Sequence, residues 1–330
     1  MESVRIAVIG GSGLYDMPEL TDVTEERLDT PFGPPSDAIR IGTLAGQRVA
    51  FLARHGRGHV HLPSEVPYRA NIYALKTLGV QEVISVSACG SLKEALAPGH
   101  VVVPNQLVDW TRDNRGRTFF GNGLVAHISA ADPFCPRLSA LLADAVAAVG
   151  GTVHRGGVFI TTEGPRFATR AESALYRSWG YDIIGMTTAP EAFLAREAEM
   201  CYAVMAHVTD YDVWHESEAD VSVELVLQTL SANIRLAQEA LIALVQRLGR
   251  ADEDCACHHA LADALITARQ AIPPETLARV LHDAGCTVTG SDLNRSAATR
   301  WLEAAGITVY EGHRAENVGA AELVGIHAIA

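Results

Sequence analysis

Short apolar runs rich in β-branched residues alternate along the chain with segments of helical spacing, a pattern that predicts an α/β fold. Val4 to Ile9, Gln47 to Ala53, Glu82 to Ser87, Val158 to Thr162 and Tyr202 to Thr209 read as strands, the last almost wholly apolar. Helical periodicity covers Tyr68 to Leu78, which Gly79 stops, and Pro136 to Val149, which Gly150 and Gly151 close. Ala171 to Trp179 and the long Val221 to Leu248 share that periodicity, and a final helix is expected over His259 to Gln270, before Pro273-Pro274. The charged run Arg250-Ala251-Asp252-Glu253-Asp254 marks the approach to the end of the main body. Beyond it the character changes: Leu277 to His282, followed by Gly285 to Leu293, reads as helix, strand and turn.

Composition narrows the class. With 330 residues, 48% hydrophobic and 20% charged, the chain is expected to pack a sizeable core. A formal net charge of -13 disfavours non-specific binding to nucleic acid or to an anionic membrane, so any anion site must build its positive potential locally. The best apolar run, Leu138 to Gly150, is too short to span a bilayer and contains Asp144. No cleavable leader pattern opens the sequence, and a cytoplasmic protein is expected. Of the six cysteines only Cys255 and Cys257, followed by His258 and His259, are close in sequence. The two-residue spacer usual for metal sites and a distant second ligand pair are missing from the pattern, so reduced thiols and no metal are expected.

Candidate chemistry gathers where predicted strands end, which is where open α/β sheets place ligands. Gly10-Gly11-Ser12-Gly13 can turn backbone N–H groups inward as an anion nest, with the Ser12 hydroxyl as a further donor. It is not a dinucleotide fingerprint, because Asp16 stands where the third glycine belongs. Arg54-His55-Gly56-Arg57-Gly58-His59 puts four basic groups within six residues of an acidic protein, and arginine offers anions a planar fork of donors. Ser87-Ala88-Cys89-Gly90 is another strand end of small residues. Asp210 and Asp212, at i and i+2, would share one side of an extended chain. Two close acids in a cleft cannot both ionise cheaply, so one can keep a proton at neutral pH. An Asx turn or helix cap is the plain alternative. Neither a Gly-x-Ser-x-Gly elbow nor a His-Glu-x-x-His zinc motif is present.

These segments resemble the methylthioadenosine phosphorylases of the trimeric purine nucleoside phosphorylase superfamily. The resemblance rests also on Thr162-Glu163-Gly164-Pro165-Arg166-Phe167, Met186-Thr187-Thr188-Ala189-Pro190-Glu191 and Thr209-Asp210-Tyr211-Asp212-Val213-Trp214, all in family order. It implies an α/β phosphorylase domain over 1–272, with a central mixed, partly barrel-like sheet flanked by helices, and a small extension over 273–330. It implies that Ser12, Arg54, His55, Ser87, Ala88 and Thr187 hold phosphate, a co-substrate, with no cofactor. Met186 would lie beneath the ribose, Phe167 would pack on the purine, and Asp210 with Asp212 would read its edge and protonate N7. Val223, Val226 and Leu227 would line the methylthio pocket, although a helical core stripe reads the same way. His127 would be lent to a neighbouring subunit, making a homotrimer, or a hexamer of paired trimers, necessary.

The activity implied is phosphorolysis of 5'-methylthioadenosine to adenine and 5-methylthioribose 1-phosphate, in purine and methionine salvage. Ala168 and Asp210 stand where 6-oxopurine enzymes of the superfamily carry Glu and Asn, which favours a 6-amino base over methylthioinosine or general purine nucleosides. Ala168 also departs from the Ser common among the methylthioadenosine enzymes. The tail, through Thr287 to Leu293, Gly312-His313 and Glu316-Asn317, resembles part of the N-terminal nucleotide domain of muramate–alanine ligases, entered after that family's glycine loop. Ligase activity is therefore not expected; a nucleotide-sensing module is the remote alternative.

Overall fold

The computed structural model describes residues 4–11, 14, 17–216, 221–248, 255–283, 288–292, 296–304, 306–312, 314 and 317. The chain forms two compact units, Met1–Phe119 with Ile128–Leu261, and Phe120–His127 with Ala262–Ala330.

The first unit is built on a mixed sheet of 11 strands among the described residues. At its centre β1 (Ile6–Gly10) lies parallel between β4 (Gln47–Ala53) and β5 (Glu82–Ser91). β11 (Cys201–Asp210) runs parallel to β5 from Cys201 opposite Glu82 to Asp210 opposite Gly90, with a register shift after Val208. β10 (Ile183–Gly185) pairs antiparallel with the far end of β5, Ile184 opposite Gly90. β9 (Val158–Thr162) and β7 (Gln106–Trp110) extend that branch, and β6 (Val101–Val103) with β8 (Val153–Arg155) extends β11. On the opposite flank β3 (Ile39–Leu44) and the exposed β2 (Thr21–Glu26) add antiparallel strands.

Both faces of the central strands are covered, which explains their unbroken apolar character. Ile6, Val8, Ala203 and Met205 face α2 (Pro136–Ala148) and α5 (Val223–Leu248), through Leu138, Leu142, Leu241 and Leu244. The alternate residues Ala7, Ile9, Tyr202 and Val204 face α1 (Tyr68–Thr77) and α4 (Thr188–Glu197), through Tyr68, Ile72, Leu75 and Leu194. All ten residues of β11 are buried. α3 (Arg170–Ser178) starts with a reciprocal capping box between Thr169 and Glu172. No helix among the described residues is long and apolar enough to cross a membrane.

One expected element is absent. The segment expected as a helix over 259–270 is a short 3₁₀ turn at Ala256–His259, irregular backbone, and another turn at Arg269–Ala271. In the second unit its backbone pairs with 125–127 instead: Ala264 O accepts from His127 N (2.8 Å) and Ile266 N donates to Val125 O (3.1 Å). Inter-segment hydrogen bonds override the alanine-rich helical propensity there. The same unit contains α6 (Pro274–Asp283) and a parallel pair, β12 (Thr289–Asp292) and β13 (Thr308–Glu311), joined through α7 (Ala297–Ala304). A parallel pair needs such a crossover, and the helix supplies it.

Candidate active site

The acidic pair sits where β11 ends. Asp210 is the last strand residue, and Asp212 follows in a left-handed conformation (φ 54°), so the two are brought together by a turn and not by an extended chain. The Asp212 amide donates to Asp210 Oδ1 (2.8 Å) and the Thr209 hydroxyl to Asp210 Oδ2 (2.7 Å). Burial pushes the Asp210 carboxyl above the ordinary aspartate range, these two donors oppose it, and the neighbouring Asp212 charge reinforces it. Burial also raises Asp212; the nearby Ser173 hydroxyl and Val213 amide favour its ionised form and Glu172 disfavours it. Asp212 Oδ2 is shielded from solvent and makes no hydrogen bond of good geometry among the described residues. The arrangement is an Asx-type turn that also leaves a buried acid able to hold a proton.

Gly90 explains how the acids fit against the sheet. A Cβ there would stand 3.0 Å from Asp210 Oδ1, 3.0 Å from Ile184 Cγ2 and 3.4 Å from Asp212 Cβ. Glycine lets both β10 and the acidic turn approach β5.

The ends of β4, β1 and β5 meet beside this turn. Arg54 N donates to Gly10 O (3.0 Å), and Ser87 lies opposite Ala206 of β11. Arg54 is 3% exposed and its side chain faces inward. Its Nε and Nη2 grip the two oxygens of Glu191 at 2.8 and 2.9 Å, Nη2 also reaches Ser85 Oγ (2.6 Å), and Nη1 reaches Val86 O (3.2 Å). Tyr202 donates its hydroxyl to the same carboxylate (2.8 Å). Burial works against the Arg54 charge, and Glu191 more than offsets it, raising the pKa further.

His55 is half-buried, stacked on His59 with ring centres 4.3 Å apart, its Nδ1 2.9 Å from His61 O. Burial lowers its pKa to about 4, so at neutral pH Nδ1–H donates to that carbonyl and Nε2 keeps a lone pair. Ser87 and Thr188 carry buried hydroxyls without a partner among the described residues. Thr187 is buried at the start of α4, and Ala88 is half-buried. Ser12 lies outside the described residues.

On the other side, β10 delivers Met186 beside the loop that carries Glu163 and Gly164. A Cβ on Gly164, whose φ is +65°, would fall 2.6 Å from Met186 Sδ. Arg115 holds both segments: its fully buried side chain bonds Met186 O (2.6 Å), Glu163 O (2.5 Å) and Glu163 Oε1 (2.7 Å). Phe167 is half-buried, and Ala168 packs against Leu92, Ile160, Tyr176 and Ile184. The Arg177 guanidinium lies 3.5 Å over the Trp214 ring, whose Nε1 donates to Ser91 O (2.7 Å), which fixes the loop after Asp212.

At the start of α5, Val223 is 64% and Leu227 57% exposed, and Val226 is half-buried. The side chains expected to line a pocket are thus open in the protomer. His127 belongs to the second unit, where it is exposed. Sequence reasoning gave no role to Arg115, Glu191 or Tyr202. Arg115 stands in a polar loop with no distinguishing pattern, and Glu191 follows a proline at a helix start, where a solvated acid is the ordinary expectation.

This arrangement has relatives. Residues 5–248 match the Phosphorylase superfamily, and the chain belongs to it. Within it the similarity is to S-methyl-5'-thioadenosine phosphorylases. That of Geobacter sulfurreducens is 55% identical over 280 residues, which cover 85% of this chain and 97% of the relative. A methylthioadenosine phosphorylase structure sourced from an Antarctic soil metagenomic library superposes with a TM-score of 0.81 at 48% identity, covering 86% of this chain and 99% of that one. The Schistosoma mansoni enzyme, solved in complex with adenine, gives 0.75 at 37% identity, covering 80% and 99%. Residues 274–330 match the Mur ligase family, catalytic domain.

Proposed function

We propose that the chain cleaves 5'-methylthioadenosine with inorganic phosphate to adenine and 5-methylthioribose 1-phosphate. The observation that carries the reading is the buried Asp210–Asp212 turn with its raised carboxyl pKa values, in a chain 55% identical to a curated enzyme of that activity. As the bond from sugar C1' to purine N9 breaks, positive charge grows on the sugar carbon and negative charge on the base. A protonated aspartate of the pair neutralises the base at N7, while phosphate attacks C1'. The phosphate is assigned to the ends of β1, β4 and β5, with Ser12, Ser87, Ala88, His55 and Thr187 around it and Arg54 as the rigidly held cation. Neutral His55 accepts through Nε2 from a protonated phosphate oxygen or a sugar hydroxyl. No cofactor enters the transfer.

Met186, fixed through its carbonyl by Arg115, supports the ribose, and Phe167 the purine. Exposure of Val223 and Leu227 supports a methylthio pocket that closes only on assembly, with His127 supplied by a neighbour. A homotrimer, alone or paired into a hexamer, is the assembly proposed, in the cytoplasm. The phosphorylase domain is assigned to 1–272 and the extension to 273–330. An ionised Asp210 accepts from a 6-amino group and repels a 6-oxo group, so selectivity for the amino base can approach about 10⁴-fold. Phosphorolysis of methylthioadenosine, methylthioinosine and guanosine at equal concentration tests this. Methylthioadenosine should dominate; equal turnover of methylthioinosine would reassign the substrate.

A further inference from the structure

At the opposite end of β11 from the acidic pair, four cysteines from three separate parts of the chain converge. Cys135 caps the N-terminus of α2, Cys201 opens β11, and Cys255 and Cys257 flank a single alanine in the segment after α5. Their four sulfur atoms all lie within 4.8 Å of one another, and Cys135 Sγ is 3.7 Å from Cys255 Sγ. Cys135, Cys201 and Cys257 are at most 3% exposed and belong to the apolar layer beneath α2 and α5. We propose that these four side chains bind one zinc ion as a tetrahedral tetrathiolate that fastens the segment 255–257 to the body of the fold.

The spacing favours a metal. Zinc–thiolate bonds are about 2.3 Å long, so the edge of a regular tetrahedron of sulfurs is about 3.8 Å. The Cys135–Cys255 separation of 3.7 Å falls on that edge and the other sulfurs lie within 4.8 Å of one another, whereas a disulfide needs about 2.05 Å between two sulfurs. Four converging sulfurs with no oxygen ligand suit a soft, tetrahedral ion. The surroundings suit negatively charged thiolates. Arg196 Nη1 donates to Cys257 Sγ (3.4 Å), Arg137 Nη2 to Cys201 Sγ (3.6 Å) and the Leu138 amide to Cys135 Sγ (3.4 Å). His258 Nε2 stands 3.7 Å from Cys201 Sγ. Donors of this kind orient and stabilise metal-bound sulfur. Binding exchanges four thiol protons for one Zn²⁺, leaving a site of net charge −2 beside two guanidinium groups.

Four protein ligands leave no open position, which makes the site structural. The ten residues of β11 also separate it from Asp210 by about 30 Å of extended chain. The sequence pattern did not reveal it because the second ligand pair, Cys135 and Cys201, is distant in sequence from Cys255 and from each other.

Elemental analysis of the full chain, purified under reducing conditions without chelator, should find about one zinc per chain. The Cys255→Ser, Cys257→Ser double variant should fall to near zero zinc and melt at a lower temperature, with kcat at low temperature within about twofold of wild type because the chemistry is remote. Cobalt exchanged into the wild-type chain should show thiolate-to-metal charge-transfer bands and the intense visible bands of a tetrahedral site, a readout that stands if the variant does not fold. A metal-free wild type with free thiols or disulfides, iron in place of zinc, zinc retained by the double variant, or cobalt without those bands would each overturn the proposal.

Discussion

Two groups of buried carboxylates flank the same sheet, and they are treated in opposite ways. Glu191, fully buried, receives two charge-assisted bonds from Arg54 and a third from the Tyr202 hydroxyl. Asp210 and Asp212, 3% and 4% exposed, share an amide and a hydroxyl, and no guanidinium or ammonium group bonds to them among the described residues. The first is a permanent ion pair that holds strand ends together. The second is short of donors, so the charge is costly and a proton is the cheaper occupant. Burial alone does not separate the two groups; the number of partners does.

The largest effect should come from the deficient side. Asp210→Asn is expected to lower kcat/KM for methylthioadenosine by about 10²–10⁴-fold, with a much smaller loss on a 6-oxo nucleoside. Its effect on stability should carry the opposite sign. A carboxyl whose folded pKa is raised contributes stability below its unfolded value and loses it as pH rises through the folded value. The melting temperature of the variant relative to wild type should therefore climb as pH is raised from about 4 to neutrality. A relative fall over that range would show that Asp210 is as well matched as Glu191, and the contrast would vanish.

The matched side should respond in stability first. Glu191→Ala strands a buried guanidinium, and removing one partner of such a pair costs about 3–5 kcal/mol, measurable by urea unfolding. A loss under about 1 kcal/mol, the value of a surface pair, would demote the network to a solvated one.

The smallest effect concerns the imidazole buried in β11. His207 in β11 is wholly buried, its ring nitrogens lack partners among the described residues, and burial lowers its pKa to about 4. The unfolded chain takes up a proton near pH 6.5 that the folded chain refuses, so stability is lost as pH falls from about 6.5 to about 4. His55 adds to this trend, its pKa also lowered to about 4 by burial. His207→Leu should flatten the dependence by up to about one proton per chain, read from melting temperature against pH. An unchanged slope would assign the acid sensitivity elsewhere.

What was legible in the chain follows from the same physics. Central strands and long helices are declared by their own residues: Val158–Thr162 forms as expected, and Val221 to Leu248 differs only by a helix start at Val223. β2, exposed at all but its last residue and with the sequence TDVTEE, carries no apolar stripe and was invisible. α4 carries a kink at Ala189 and a proline after it, so no unbroken helical spacing marks it. The acidic pair was legible as two residues, but not the left-handed turn that joins them. Arg115 and Glu191 act through partners 48 and 137 positions away, a relation that no local pattern encodes.

The bare position between β10 and β11 has one more implication, for the history and redesign of the enzyme. Even an alanine at 90 would stand 3.0 Å from both Asp210 Oδ1 and Ile184 Cγ2, so the acidic turn or β10 must yield by a few tenths of an ångström to admit it. If Asp210 reads the base as proposed, a library spread over residue 90 should return folded chains that have lost turnover and gained no new purine preference.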